Sequence, residues 1–392
     1  MIKLKNLLVI VVLISIPIAC DIYGSSGIRQ LVAEQDKDWV LSKADEFLQQ
    51  EPVTVTAYSC ERSEGGLHDF YSEGDYWWPD PDNPDGPYIR RDGRTNPDNF
   101  TAHRKVMRSM SMQVATLTAA YKMTGEEKYA EHAIKHLHAW FIDEDTRMSP
   151  HMKYAQAIKG RVPGRGVGLI DGIHLVEPAR AISYLAGQDI LDPDEFEIIR
   201  TWFSYFLSFM TTHEYGIDER DRKNNHGTCW VMQAAEFARL TENQKITEFC
   251  RNRYKTVLLP NQMAENGSFP MELERTKPYG YSLFNIDAMA MVCHILSTPQ
   301  HNLWEVQLSG GQGMEEGMSF IFPYIKDKSR WILKPDVMYW DQWPVRHPSL
   351  LFAGMAYDEQ KWIDLWKTLD PLPETEEGMR NFPIRQPILW VN

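Results

Sequence analysis

Residues 104–123 read RKVMRSMSMQVATLTAAYKM. Val106, Met110, Val114, Leu117 and Tyr121 recur three or four residues apart, which lays one apolar stripe along a helix. Tyr129, Ala133, Leu137 and Trp140 repeat the pattern just downstream. Phe196–Met210 and Gly227–Leu240 read as strongly apolar helices, and Leu283–Leu296 and Glu359–Leu369 follow. Loops containing Gly, Pro and Asp separate them. Strand-like alternation is scarce, although Trp331–Trp340 is compatible with a short strand or an extended loop. An all-α chain of this length stacks helical hairpins. Closing antiparallel pairs into a ring, an (α/α) toroid, is one of several arrangements open to it.

The chain has 392 residues, no low-complexity linker and no visible boundary, so residues 21–392 are expected to form one domain. Its 13 Trp, 17 Tyr and 16 Phe suit flat surfaces on which sugars stack, although large helical cores use the same residues. The formal net charge of −13 argues against a nucleic-acid partner. An anionic ligand would need a basic cleft set in an acidic shell.

Lys3 and Lys5 precede an apolar stretch, Leu7–Ile18, that is too short for a comfortable membrane span and fits a signal peptide. It ends in Ala19-Cys20-Asp21, so residues 1–20 are expected to direct export, to the periplasm or the outer membrane, with Cys20 lipidated. Ordinary signal cleavage nearby is the alternative. Cys60, Cys229, Cys250 and Cys293 match no metal motif, and the last three sit in apolar helical segments as buried free thiols.

Two loops carry unusual chemistry. Residues 73–100, EGDYWWPDPDNPDGPYIRRDGRTNPDNF, are too rich in Pro, Gly, Asp and Asn to be helical for long. They mix aromatic side chains with Arg90, Arg91 and Arg94, which suits an anionic sugar chain and equally a loop folded on its own Trp residues. Residues 154–171, YAQAIKGRVPGRGVGLID, are Gly-rich without forming a nucleotide-binding fingerprint.

Residues 222–226, RKNNH, lead into the helix near Gly227, with His226 and Trp230 on one face. Helix capping accounts for one Asn but not for Asn-Asn-His behind two cations. Residues 267–281, GSFPMELERTKPYGY, lead into the apolar helix near Leu283. Asn-Asn-His-x-x-x-Trp, followed about fifty residues on by Phe-Pro-x-Glu-Leu-x-Arg-x-Lys and then a Tyr, resembles the alginate lyase superfamily of (α/α) toroids. It is similar to polysaccharide lyase family 5 and more so to family 38. Residues 154–158, 164–171 and 346–353 (RHPSLLFA) also look like that family, so the resemblance runs from about Cys60 to Tyr357. In family 5 the Tyr follows the Arg by seven residues, where this chain has Ser282; the spacing of six here fits family 38 and leaves Tyr279 as a rival to Tyr281.

The resemblance implies a lyase that cleaves an acidic polyuronate, alginate or a glucuronan-like chain, by β-elimination without a metal or other cofactor. The C5 proton of a uronate is barely acidic until donors neutralise its carboxylate. Asn225 and Arg275 are the implied donors. Tyr281 is the implied base, with Arg275 among the cations expected to lower its pKa. His226 is a second base or a support for Tyr281, and Tyr281 can return its proton to the leaving O4. Tyr76, Trp78, Arg90, Arg91, Gln156, Arg165, Lys223 and Arg346 are the expected walls of the cleft. A glycoside hydrolase is the competing enzyme, with Asp75, Asp171, Glu272 and Glu274 available as its carboxylates. A non-catalytic surface glycan-binding lipoprotein would keep the aromatic residues but need not keep His226 and Tyr281.

Overall fold

The computed structural model describes residues 25–391; the expectations for the signal peptide and Cys20 lie outside them. The described residues begin with α1 (Ser25–Phe47), and the aromatic loop then forms β1 (Tyr71–Glu73), β2 (Trp77–Trp78) and β3 (Ile89–Arg90). Next come α2 (Ala102–Thr124), α3 (Glu127–Phe141), β4 (Tyr154–Ala157), α4 (Val176–Ala186), α5 (Pro193–Thr212) and α6 (Glu214–Arg220). After them lie α7 (Asn225–Leu240), α8 (Gln244–Arg253), two single turns α9 (Leu259–Gln262) and α10 (Pro270–Leu273), and α11 (Pro278–Leu296). The chain closes with α12 (Met314–Lys326), α13 (Pro348–Ala356), α14 (Gln360–Thr368) and α15 (Glu376–Arg380). Trp331–Trp340 is a loop of bends that enters a 3-10 turn at Trp340 and holds no strand.

Local chemistry sets the boundaries. Gly125 ends α2 in the left-handed region at φ 75°, where a side chain would be strained, and the chain turns straight back into α3. Asp192 caps α5 through two backbone N–H groups, with Pro193 in its first turn. The apolar stripe of α2 packs on α1, α3 and α4, and α7 packs on α4, α5, α8 and α11. Helix pairs stacked in this way form an (α/α) toroid around one continuous core. The strands make two small patches: β1 pairs in parallel with β4, and β2 pairs antiparallel with β3.

The C-terminal stretch threads into this ring. Phe382, Ile384, Ile388, Leu389 and Trp390 are buried, and Glu177 Oε1 of α4 accepts from the backbone N–H groups of Arg385 (2.7 Å) and Gln386 (2.6 Å). The segment is thereby fixed so that Arg380 and Asn381 face the cleft described next. Cys229, Cys250 and Cys293 are buried and free, and burial pushes the Cys250 and Cys293 thiols up to about 12.

Candidate active site

A cavity of about 530 Å³ lies where the aromatic loop, the 154–171 loop, the start of α7, the approach to α11 and the end of α15 meet. Asn225, His226, Arg275 and Tyr281 all line it, so residues about fifty apart in sequence share one site. Six cations border the cavity (Arg90, Arg165, Arg222, Lys223, Arg275, Arg380) against two carboxylates (Asp75, Asp221). A locally basic cleft within a chain of net charge −13 meets the requirement for an anionic ligand.

Asn225 and His226 open α7, and Asn224 before the helix does not cap it through its side chain. Glu272 caps it from across the chain instead. Its Oε1 accepts from the Asn225 backbone N–H (2.7 Å) and its Oε2 from the Asn225 amide Nδ2 (2.8 Å). This fixes which way the Asn225 amide faces. Burial pushes the Glu272 carboxyl above its ordinary value, although the Asn225 donors oppose the shift. Gly227 is required by close approach, because a Cβ there would fall 2.2 Å from the Arg222 carbonyl oxygen. His226 Nδ1 lies 2.6 Å from Oε1 of the fully buried Glu219. A carboxylate only accepts, so Nδ1 carries the hydrogen and Nε2 is left for the cavity.

Tyr281 lies in the first turn of α11, buried to 8% exposure, with its hydroxyl 2.5 Å from that of Tyr76. The Arg275 guanidinium stands 4.6 Å from the centre of its ring, and Lys277 Nζ stands 5.2 Å from it. Arg275 is itself held by Asp92 at 3.0 Å. The expectation that cations bring the Tyr281 pKa below its ordinary value fails. Burial, then Tyr76, push the hydroxyl well above its ordinary value, and the opposing pull of Lys277 and Arg275 does not cancel them. Tyr279 is no rival. It is fully buried between Trp331 and Trp340, and its hydroxyl donates to the Tyr324 carbonyl.

Gln156 forms part of one wall with a left-handed backbone, φ 51°, which is strained for a residue with a side chain. Its surroundings over-determine it: Ser72 Oγ accepts from its N–H, and Arg165 donates to both its carbonyl and its Oε1 at 3.0 Å. Burial lowers the Arg165 pKa to about 10. Beneath the cavity, Arg104 pairs with Asp75 and Asp171, and Arg380 lies 2.7 Å from Asp75 and 3.2 Å from Glu377. Burial pushes the Asp75 carboxyl up, but Arg104, Arg380 and Lys277 together outweigh it and hold it below its ordinary value.

Tyr76, Arg90, Gln156, Arg165 and Lys223 line the cavity as the sequence led one to expect, and three expected wall residues do not. Successive strand residues point to opposite faces. Trp77 therefore reaches the cavity, while Trp78 packs beneath Arg91 and donates its indole N–H to the Arg94 carbonyl. Arg346 is structural: it pairs with the buried Asp36 of α1 at 2.5 Å and donates to the Leu369 carbonyl. Trp77, Arg222 and Arg380 were missed. Strand alternation offered a signal for Trp77, and the two-cation lead into Asn224 offered one for Arg222. Nothing local marks Arg380, which reaches the cleft only because the C-terminal segment folds back.

Among solved structures, an alginate lyase from Bacteroides ovatus superposes with a TM-score of 0.80 at 29% identity, covering 93% of this chain and 97% of that one. Alginate lyase A1-III from Sphingomonas species A1 superposes at 0.57 with 13% identity, covering 90% and 94%, and so shows the shared fold. A histidine-to-alanine variant of alginate lyase A1-III complexed with a tetrasaccharide gives 0.60 at 13% identity over 94% of each chain. No individually curated protein matches. The alginate lyase family model matches residues 54–331, well over half of the sequence, and with the toroid and the lined cleft in place the chain belongs to the alginate lyase family of polysaccharide lyases.

Proposed function

We propose that this chain cleaves an acidic polyuronate, with alginate and glucuronan as the first candidates, by β-elimination in the cleft of Asn225, His226, Arg275 and Tyr281. The observation that carries the reading is the meeting of those four side chains in one basic cavity. Arg275 and the oriented amide of Asn225 hold the uronate carboxylate and take up charge as C5 loses its proton. Tyr281 or His226 Nε2 accepts that proton. The C5–H electron pair becomes the C4–C5 double bond, the C4–O4 bond breaks, and O4 leaves with its pair and receives a proton from Tyr281. No water enters the bond that breaks, and no electron is gained or lost overall.

A glycoside hydrolase is less well supported. It needs two carboxylates free to act on either side of the bond. Asp75 and Asp171 are bound by Arg104 and Arg380, and Glu272 is engaged by Asn225. Glu274 does not line the cavity.

The test is incubation with alginate, glucuronan and heparinoids while following the ultraviolet absorbance of an unsaturated uronate. Growth of that absorbance with chain shortening supports the proposal. Chain shortening without it would establish a hydrolase. We also propose export with removal of residues before Cys20 and lipidation of Cys20; intact-mass analysis of the envelope fraction tests both.

A further inference from the structure

The Lys277 side chain takes no part in lining the cavity, yet it sits directly behind the tyrosine pair. It is 4% exposed at the N-terminal boundary of α11. Its Nζ lies 5.2 Å from the Tyr281 ring centre, 5.2 Å from that of Tyr76 and 5.3 Å from that of Tyr339. Its ion-pair partner is Glu377 of α15 at 3.3 Å, and that carboxylate is shared with Arg380. Taking an ammonium out of water is costly even when aromatic faces and a carboxylate offset part of the cost, and a Met or Leu would fill the same space without that penalty. A charge kept there needs a reason beyond packing.

The chemistry of the site supplies one. Tyr281 must become negative when it gives up its own proton ahead of taking one from C5. A buried phenolate beside an incoming uronate is strongly disfavoured. We propose that Lys277 is a positioning residue whose buried ammonium stabilises the phenolate of Tyr281, with Tyr76 supporting the same charge through the hydrogen bond between the two hydroxyls. The inference rests on the β-elimination reading above.

The charged and titratable groups facing the pair come from every neighbouring element. Arg275 stands on the same approach to α11, and Asp92 holds it. Asp75 and Tyr76 come from the turn between β1 and β2, and Glu377 and Arg380 from α15. Asp336 and Tyr339 come from the loop after α12, where Asp336 accepts from the N–H groups of Tyr279 and Gly280. Arg380 is committed to Asp75 and Glu377, and Arg275 to Asp92 and the cavity. Lys277 is the cation pressed against both phenol rings. Burial works against its charge, but Tyr281 when ionised and the Glu377 carboxylate at 3.3 Å outweigh it and raise its pKa above the ordinary value. A unit charge at roughly 5 Å with an effective dielectric of about 20 moves a neighbouring pKa by roughly two units.

The experiment compares pH profiles of kcat and kcat/KM for the full chain and for Lys277→Met, Lys277→Arg and the double variant Lys277→Met with Glu377→Gln, each checked by thermal melting. Loss of the ammonium should lower kcat near neutral pH about 10- to 100-fold and move the rise of kcat/KM to higher pH, with KM little changed. Lys277→Arg should recover most of the loss. The double variant should keep the defect, which separates loss of the ammonium from exposure of the Glu377 carboxylate. A wild-type pH profile for Lys277→Met, or recovery in the double variant, overturns the proposal. If Lys277→Met does not fold, Lys277→Gln against Lys277→Arg is read in the same way. Absence of an unsaturated product from the unmodified chain overturns the β-elimination reading itself, a result distinct from failure of Lys277 alone.

Discussion

The Tyr76 and Tyr281 hydroxyls lie 2.5 Å apart, one on the aromatic loop and one on α11, separated by 205 residues in sequence. The loop that brings aromatic side chains to the cleft therefore also completes the hydrogen bonding of the proposed base. When Tyr281 ionises, Tyr76 becomes a donor to a phenolate, a charge-assisted bond stronger than a neutral one. Tyr281→Phe should lower turnover about 10²–10⁴-fold while substrate binding stays nearly intact, because the ring still fills its place. Tyr76→Phe should lower it less, about 10- to 100-fold, the value of a hydrogen bond to a charge. Initial rates of unsaturated-product formation check both. Near-normal turnover of Tyr281→Phe would move the search for the base to His226.

Arg275→Ala should damage both binding and turnover. Its guanidinium is expected to hold the uronate carboxylate in the ground state and to meet greater charge in the transition state. KM should rise and kcat should fall. A fall in kcat alone, seen in full saturation curves, would show that Arg275 contributes nothing to ground-state binding and acts only in the transition state.

Glu219→Gln separates activity from stability. The buried carboxylate fixes the His226 tautomer, while its second oxygen, Oε2, has no hydrogen-bond partner. An amide of the same shape still accepts from Nδ1 through its oxygen, but that neutral hydrogen bond is weaker and holds the ring less firmly. Turnover should fall roughly tenfold or more. The melting temperature should stay close to that of the wild type, because the amide fills the same space and still accepts from Nδ1. Loss of stability together with full activity per folded molecule would assign Glu219 to the scaffold.

Arg346→Ala should destabilise the fold and spare the chemistry. Asp36 would lose the guanidinium that partners it, and breaking a buried ion pair costs about 3–5 kcal/mol. Burial already raises the Asp36 carboxyl to about 6, against the pull of Arg346. A raised carboxylate pKa stabilises the fold at low pH and ceases to do so as pH rises through the folded value. The deficit of the variant should therefore be smaller near pH 4 than near pH 8, as read by thermal melting, with kcat per folded molecule unchanged.

Glu177 gives the C-terminal segment its own pH dependence. Burial raises its carboxyl to about 7 from the ordinary 4.5, with Arg385 and the two backbone donors pulling the other way. The stabilisation it gives when protonated is complete below about pH 4.5 and is lost as pH rises through about 7, a swing on the order of 3 kcal/mol. Glu177→Gln can still accept from Arg385 and Gln386 through one oxygen and cannot ionise. It should melt above the wild type at pH 8 and no higher at pH 4. The opposite order in denaturant titrations would place the ionised form as the native one.

The helices around Val106–Tyr121, Tyr129–Trp140, Phe196–Met210 and Gly227–Leu240 were legible because an apolar stripe at helical spacing leaves one way to bury it. The four proposed catalytic residues were legible through their motifs, whose residue types carry the chemistry wherever the chain places them. Tertiary structure alone decided the rest. Arg346, inside a family-like stretch, is used up by Asp36, while Arg380, which nothing local marks, reaches the cleft, since an arginine's role depends on which carboxylates come within reach. Tyr279 and Tyr281 stand two apart, and only the helix phase turns one into the core and the other toward the cavity. Glu272, open to a catalytic reading in sequence, became the cap of α7. Lys277, one letter of a motif, became a charge held behind two phenols. Periodicity is a local property and survives in the sequence; electrostatic partnership is set by distances that exist only after the ring has closed.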